Sequence, residues 1–166
     1  MVQSEKGFLD TSAADGLLEY PDNDPPGPAT AYDCGRNYEA GGTGTYADPL
    51  TFASAPGEFE PCEIIWDPYT RKYLRFEDFC AQCDADWNAS PRINHIDLWT
   101  GSTTVNGGDE QIQCENDLTP GERSQTIVRN PWDGFEPDTT ELYVKGASPA
   151  CRTNHIFPDY NIGNYC

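Results

Sequence analysis

The sequence predicts a β-rich single domain stapled by disulfides, and three observations lead to this prediction. The chain has 166 residues, which is enough for one domain with its own core and too short for two comfortable ones. Its seven cysteines are far more than a reduced protein of this size usually carries. Short apolar segments alternate with Gly, Pro, Asn and Asp, and no helical period is sustained over three turns.

The apolar segments predict the strands. Their short, regular spacing is typical of an all-β barrel or sandwich with few short helices, rather than of alternating βα units. One short helical turn is expected within residues 79–87, where Ala81 and Ala85 lie four apart with no breaker between them. The predicted strands are 45–53, 63–66, 72–76, 95–99, 111–114, 126–128 and 141–144.

The chain divides into an arm and a domain. Residues 1–28 are rich in acidic side chains and end in a proline-rich run, which predicts a flexible acidic arm or the remnant of a propeptide. Residues 29–166 are predicted to form a single β-barrel domain. The barrel carries the disulfides in this interpretation.

The cysteine count indicates an oxidising compartment, so we expect a secreted, extracellular protein. The first twenty residues contain no apolar leader, and we interpret Met1 as standing in place of a removed signal peptide. Seven cysteines form at most three internal bridges, and Cys166 is the natural candidate for the one left over. We expect the Cys80-x-x-Cys83 pair to be a structural disulfide rather than half of a zinc or redox site.

The charge balance excludes several classes of partner. Ten basic against 28 acidic residues give a net charge of −18, which repels nucleic acid and anionic membranes. We interpret most of this charge as a solubility device, with cation binding by Asp84 and Asp86, or by Asp22 and Asp24, as the alternative. No segment matches an EF-hand loop, and we expect no metal and no other cofactor.

One predicted strand carries chemistry on one face. Alternate strand residues share a face, so His95, Asp97 and Trp99 point one way while Ile96 and Leu98 point the other. An imidazole, a carboxyl and an indole in line suit a sugar site, because a carboxylic acid can protonate the leaving oxygen. The alternative is that Asp97 caps a turn and that His95 is a surface residue.

Three segments together carry a resemblance to a known family. Residues 31–35 contain Tyr-Asp-Cys, residues 76–83 contain Glu-Asp-Phe-Cys, and residues 94–101 contain His-Ile-Asp-Leu followed by a glycine. This order resembles the secreted double-psi β-barrels of expansins and family 45 glycoside hydrolases, including fungal ones. The resemblance implies a six-stranded double-psi β-barrel. It also implies Asp97 as the general acid and Asp33 as the base, and Asp78 is the reserve partner of Asp97.

These expectations lead to a predicted activity. An aspartate acid and an aspartate base imply inverting hydrolysis, for which the carboxyl groups stand roughly 6.5–9.5 Å apart. We expect the substrate to be a cell-wall polysaccharide, either a β-1,4-glucan or the peptidoglycan backbone. Burial beside Trp99 would favour the protonated Asp97 that the acid role needs. The predicted substrate-binding residues are Tyr32, Tyr46, Asp48, Trp87, His95 and Trp99.

Two alternatives belong to other classes of function. If Asp33 is remote from Asp97, the chain would be an expansin-like carbohydrate-binding module that does not cleave. The other alternative is an extracellular structural protein in which Cys166 links chains. Apart from that case, we expect a monomer.

Overall fold

The computed structural model describes residues 29–100, 109–121 and 125–165. The predictions for residues 1–28 and for Cys166 therefore lie outside the described residues. Five strands, two helices and two short 3-10 turns make up the regular structure of these ranges. They are β1 (Leu50–Ser54), β2 (Ile64–Asp67), β3 (Lys72–Phe79), α1 (Ala81–Trp87), β4 (Ile96–Leu98), α2 (Asp109–Leu118), β5 (Val128–Arg129) and the turns Thr153–His155 and Ile162–Asn164.

The strands form one sheet in the order β4-β1-β3-β2-β5. β1 and β3 are parallel, and the other neighbouring pairs are antiparallel. The β-rich fold with few helices and several disulfides is therefore confirmed. Within the described ranges the sheet is open and has five strands, so a sixth strand and barrel closure stay predictions.

One face of the sheet builds the main core. Leu50 and Phe52 of β1 lie beside Leu74 and Phe76 of β3, and all four are buried with Ile65 of β2 in a single cluster. Because the side-chain period of a strand is two, the residues between them point to the opposite face. That opposite face carries the polar and aromatic groups discussed below.

A β-bulge interrupts β3 beside β1. Phe52 pairs with Phe76, whereas the next residue, Ala53, pairs with Asp78, so Glu77 is an extra residue on β3. A bulge of this kind places two consecutive residues opposite one, and their side chains no longer alternate. Glu77 accepts a hydrogen bond from Thr51, which faces away from the main core, and Asp78 lies on the same side. Simple strand alternation, which would place Glu77 and Asp78 on opposite faces, is therefore broken at this point.

The two helices test the sequence prediction in opposite ways. The helical turn expected within residues 79–87 is α1, which begins after Cys80, whose sulfur accepts a hydrogen bond from the Cys83 N–H. The predicted strand 111–114 is wrong, because these residues lie in α2. Its buried positions are three or four residues apart, as in a helix that packs one face. They are Gln111, Cys114, Glu115 and Leu118.

Several other predicted strands differ from the structure. β1 begins at Leu50 rather than at residue 45, because Asp48 accepts backbone hydrogen bonds from Thr43 and Gly44 and closes a turn there. Residues 126–128 contribute only the first residue of β5. Residues 141–144 form no strand, and a single bridge joins Tyr143 to Cys151.

Six of the seven cysteines are joined in three disulfides: Cys34–Cys62, Cys80–Cys83 and Cys114–Cys151. The first and third close sequence separations of 28 and 37 residues, and long loops give the larger entropic stabilisation. The first ties the segment before β1 to the segment before β2. The third ties α2 to the C-terminal segment.

A buried carboxyl group lies where β1 meets β4. Ser54 Oγ is 2.8 Å from Glu58 Oε2 and 2.8 Å from the carbonyl oxygen of His95, so the hydroxyl bridges the two segments. Burial is the main cause that raises the pKa of Glu58 from 4.5 to about 7. Glu58 is therefore protonated in the folded protein at mildly acidic pH.

Glu58→Gln should remove a pH-dependent part of the stability. The folded protein holds the Glu58 proton up to about pH 7, whereas the unfolded chain loses it near pH 4.5, so the wild type loses stability as the pH rises through this window. The loss amounts to about 3 kcal/mol in the free energy of unfolding. Urea unfolding between pH 4 and about 8 measures it.

Glu60→Gln is the matched control, since Glu60 is exposed and lies two residues away. It should leave the pH dependence unchanged. An identical pH slope in Glu58→Gln and the wild type would contradict the assignment.

Candidate functional site

Two aspartates flank one alanine across the sheet. Ala53 of β1 pairs with Asp78 of β3 on one side and with Asp97 of β4 on the other. Neighbouring strands are 4.7–4.9 Å apart, so the Cα atoms of the two aspartates are about 9.5 Å apart. The methyl group of Ala53 leaves the space between them open.

A small pocket lies over this row. It has a volume of about 30 Å³, and its lining includes Thr51, Ala53, Asp78, Asp97 and Trp99. This is room for a water molecule and not for a sugar ring.

The two aspartates have different surroundings. Asp78 Oδ1 accepts hydrogen bonds of 2.8 Å from the backbone N–H groups of Ala31 and Phe79. Asp97 is 7% exposed and pairs with Ala53 of β1.

A buried ion cluster adjoins the pocket. Glu77 is 1% exposed, and its two carboxylate oxygens lie 2.6 Å from Arg36 Nη1 and 2.6 Å from Arg75 Nη2. Thr51, which lines the pocket, donates a further hydrogen bond to Glu77. Arg36 Nη2 also lies 2.7 Å from Asp48 Oδ1. The carboxylate of Glu77, the extra residue of the bulge, is thus neutralised by two arginines.

Asp48 was predicted to bind substrate, and the structure places it in this ion cluster. Burial acts to raise the pKa of Asp48, but hydrogen bonds from Arg36 and Thr43 and the Arg36 charge hold it below its ordinary value. Its carboxylate is used to hold the turn before β1. Asp48 is outside the pocket lining.

Asp33, the base that the resemblance implies, has a local structural contact instead. It is exposed, and its Oδ1 accepts hydrogen bonds from the Gly35 N–H at 2.9 Å and the Asn37 N–H at 3.1 Å. Such bonds are typical of an aspartate that closes a turn. The pocket brings Asp97 together with Asp78 and does not include Asp33.

The other predicted binding residues separate into three places. Trp99 lines the pocket. His95 Nδ1 lies 2.8 Å from Asp86 Oδ2, so the imidazole ties the start of β4 to α1. Trp87 stacks with the Arg92 guanidinium at 4.0 Å.

Tyr32 and Tyr46 contact two different aromatic groups. The Tyr32 ring packs at 5.2 Å on Phe76 of the main core. The Tyr46 ring is 41% exposed and meets Tyr73 edge-on at 5.3 Å. Tyr73 lies near the start of β3, at the opposite end of the strand from Asp78.

The described part of the chain holds no cluster of three or more His, Cys, Asp or Glu side chains suited to a metal ion. Asp86, one of the residues considered for cation binding, is paired with His95. Among the described helices, none is long and apolar enough to cross a membrane.

Comparison with known proteins gives one family. A family model described as the DDB_G0273701 N-terminal domain matches residues 15–152. A Dictyostelium discoideum protein described as uncharacterized protein DDB_G0273701/DDB_G0273221 is 32% identical over 148 residues, which are 87% of this chain and 63% of that protein. The chain thus spans less than two thirds of the length of this curated relative. No solved structure matches the chain.

Glu77→Gln should destabilise the fold, because it removes the charge that neutralises two partly buried arginines. Breaking a buried ion pair in this way costs about 3 kcal/mol. Urea unfolding at pH 7 measures the difference. Glu39→Gln, at an exposed position on the preceding segment, is the control and should change stability by less than about 0.5 kcal/mol. Equal stability of the two variants would contradict this role of Glu77.

Proposed function

The chain belongs to the DDB_G0273701 N-terminal domain family, and we propose that it is a secreted glycoside hydrolase whose catalytic carboxyl groups are Asp97 and Asp78. The observation that carries the proposal is the row in which Ala53 pairs with both aspartates. It replaces Asp33 by Asp78 as the partner of Asp97. The three disulfides support secretion, since such bonds persist in oxidising compartments.

The spacing supports an inverting reaction. Carboxyl groups roughly 6.5–9.5 Å apart leave room for a water molecule, whereas retaining enzymes hold them only about 5–5.5 Å apart. The Cα atoms of the two aspartates lie two strand spacings apart, and both residues line a water-sized pocket. This arrangement supports attack by water rather than a covalent intermediate.

The surroundings of the two carboxyl groups support their roles. Asp97 is buried beside the pocket, and in the proposed reaction it donates its proton to the glycosidic oxygen as the bond to the sugar breaks. Asp78 is held in place by two backbone N–H bonds, and it takes a proton from the attacking water. The water oxygen bonds to the anomeric carbon from the opposite side.

The proposed substrate is a β-1,4-glucan, with the peptidoglycan backbone as the second candidate. The pocket is too small for a sugar ring, so the polymer crosses its mouth. The net charge of −18 favours an uncharged polymer over an anionic wall.

The six-stranded double-psi β-barrel belongs to the same proposal. Its support is the five-stranded disulfide-stapled sheet of the described residues and the order of the three motifs that resemble expansins and family 45 hydrolases. A crystal structure of the whole chain would test closure of the sheet.

Asp97→Asn and Asp78→Asn should each lower the release of reducing ends from soluble β-glucan by about 10²–10⁴-fold, because each removes one proton-transfer step. Asp33→Asn should retain the wild-type rate, since its carboxylate bonds only to nearby backbone. Full release by Asp97→Asn would overturn the proposal. Binding of glucan without products from the wild type would favour the expansin-like alternative.

Ala53→Val should abolish hydrolysis while preserving the fold. The added methyl groups enter the space between the two carboxyl groups, and valine suits a strand at least as well as alanine does. We expect a thermal midpoint close to that of the wild type and a loss of activity of at least about 10²-fold. Undiminished activity with the larger side chain would place the reacting water elsewhere.

A further inference from the structure

An exposed tryptophan is held rigidly on the surface. Trp132 is 62% exposed, the largest exposed fraction among the described large apolar side chains. A Cβ atom on Gly134 would lie 2.4 Å from Cζ2 of the Trp132 ring, so the ring rests directly on the glycine backbone. Its edge-on contact with Phe135, at 5.7 Å, holds it from a second side.

The backbone on either side of this ring is anchored to the sheet. The buried Tyr73 hydroxyl donates to the Trp132 carbonyl at 2.6 Å and accepts from the Phe135 N–H at 2.9 Å. The Tyr73 ring also stacks with Phe135 at 6.4 Å. Trp132 is therefore exposed without being free to move, and ordering it on binding would cost little entropy.

A second exposed ring joins the same cluster. Tyr46 meets Tyr73 edge-on, so Tyr46 and Trp132 both surround the Tyr73–Phe135 pair. We call these four side chains the aromatic surface. Its two exposed rings present apolar faces and a hydroxyl to solvent.

The aromatic surface and the two aspartates occupy the same face of the sheet. Tyr73 and Arg75 alternate with the core residues of β3, and Arg75 pairs with Thr51, which lines the pocket. Asp78 follows Tyr73 by five residues, which is a distance of about 15 Å along the strand. The buried Glu77 ion cluster lies between them, so the aromatic surface and the pocket open to solvent separately.

We propose that the aromatic surface binds an uncharged polysaccharide chain. The flat faces of pyranose rings are apolar and match exposed indole and phenol rings. The neighbouring Asp133 and Glu136 are exposed and repel anionic polymers. Two exposed rings are also few for a protein partner, which typically covers about 800 Å². The polymer class rests on the proposed function, whereas the surface itself is argued without it.

Binding is tested on the full chain with insoluble cellulose and with soluble β-glucan in affinity gels. Trp132→Ala should weaken retention at least about tenfold, a loss equivalent to 1.4 kcal/mol. Gly134→Ala keeps the indole but displaces it, and should weaken retention as well. Tyr38→Ala is the matched control, since Tyr38 is 55% exposed and lies outside the aromatic surface.

Thermal unfolding checks that each variant is folded. Retention of Trp132→Ala equal to that of the wild type would overturn the proposal, as would equal weakening by Tyr38→Ala. Equally strong retention on an anionic polymer such as polygalacturonate would overturn the uncharged class.

The two proposals fail separately. If Asp97→Asn still binds glucan through Trp132 but the wild type releases no products, the hydrolase proposal is wrong and the proposal for the aromatic surface is supported. If the wild type cleaves soluble oligosaccharides and Trp132 does not affect retention on polymer, the aromatic surface falls and the hydrolase stands.

Discussion

The bulge at Glu77 is the constraint on which the candidate site depends. With a regular register, Ala53 would pair with Glu77, and Asp78 would point toward Phe76 and the main core. A carboxylate there would lose its hydration without a partner, at a cost of several kcal/mol. The extra residue instead leaves both acids on one face, where Arg36 and Arg75 neutralise Glu77. Asp78 then lines the pocket.

Much of the sheet could be predicted from the sequence, because its strands obey the period of two. Phe52, Leu74 and Phe76 are apolar, and the residues beside them face the other side. Helix α2 could not, because two of its four buried positions are Gln111 and Glu115. These side chains bond to Thr100 and to each other, so the helical stripe is real but not hydrophobic. A pattern of apolar residues therefore cannot reveal a buried helix face that is partly made of polar, hydrogen-bonded side chains.

The same limit applies to the site. Strand alternation and the nearby Trp99 indicate Asp97 as a candidate. Its partner carboxyl depends on how β1 pairs with β3, and no local sequence pattern predicts that pairing. The resemblance implies Asp33 as the base, but the Asp33 carboxylate closes a turn. Trp132 follows Asn-Pro and reads as part of a loop. The position of the Trp132 ring depends on Gly134, two residues later, because a side chain there would occupy the space of the ring.

The charges beside the pocket are balanced, which fits the uncharged ligand proposed above. Arg36 and Arg75 balance Glu77 and Asp48, so the ion cluster carries no net charge. The contacts that hold β4 are also most stable at acidic pH. Ser54 bridges Glu58 to the segment that carries Asp97, and Glu58 stays neutral up to about pH 7. A general acid needs its proton, and lower pH supplies it. The stability of the fold and the proposed chemistry are therefore both favoured by acidic pH.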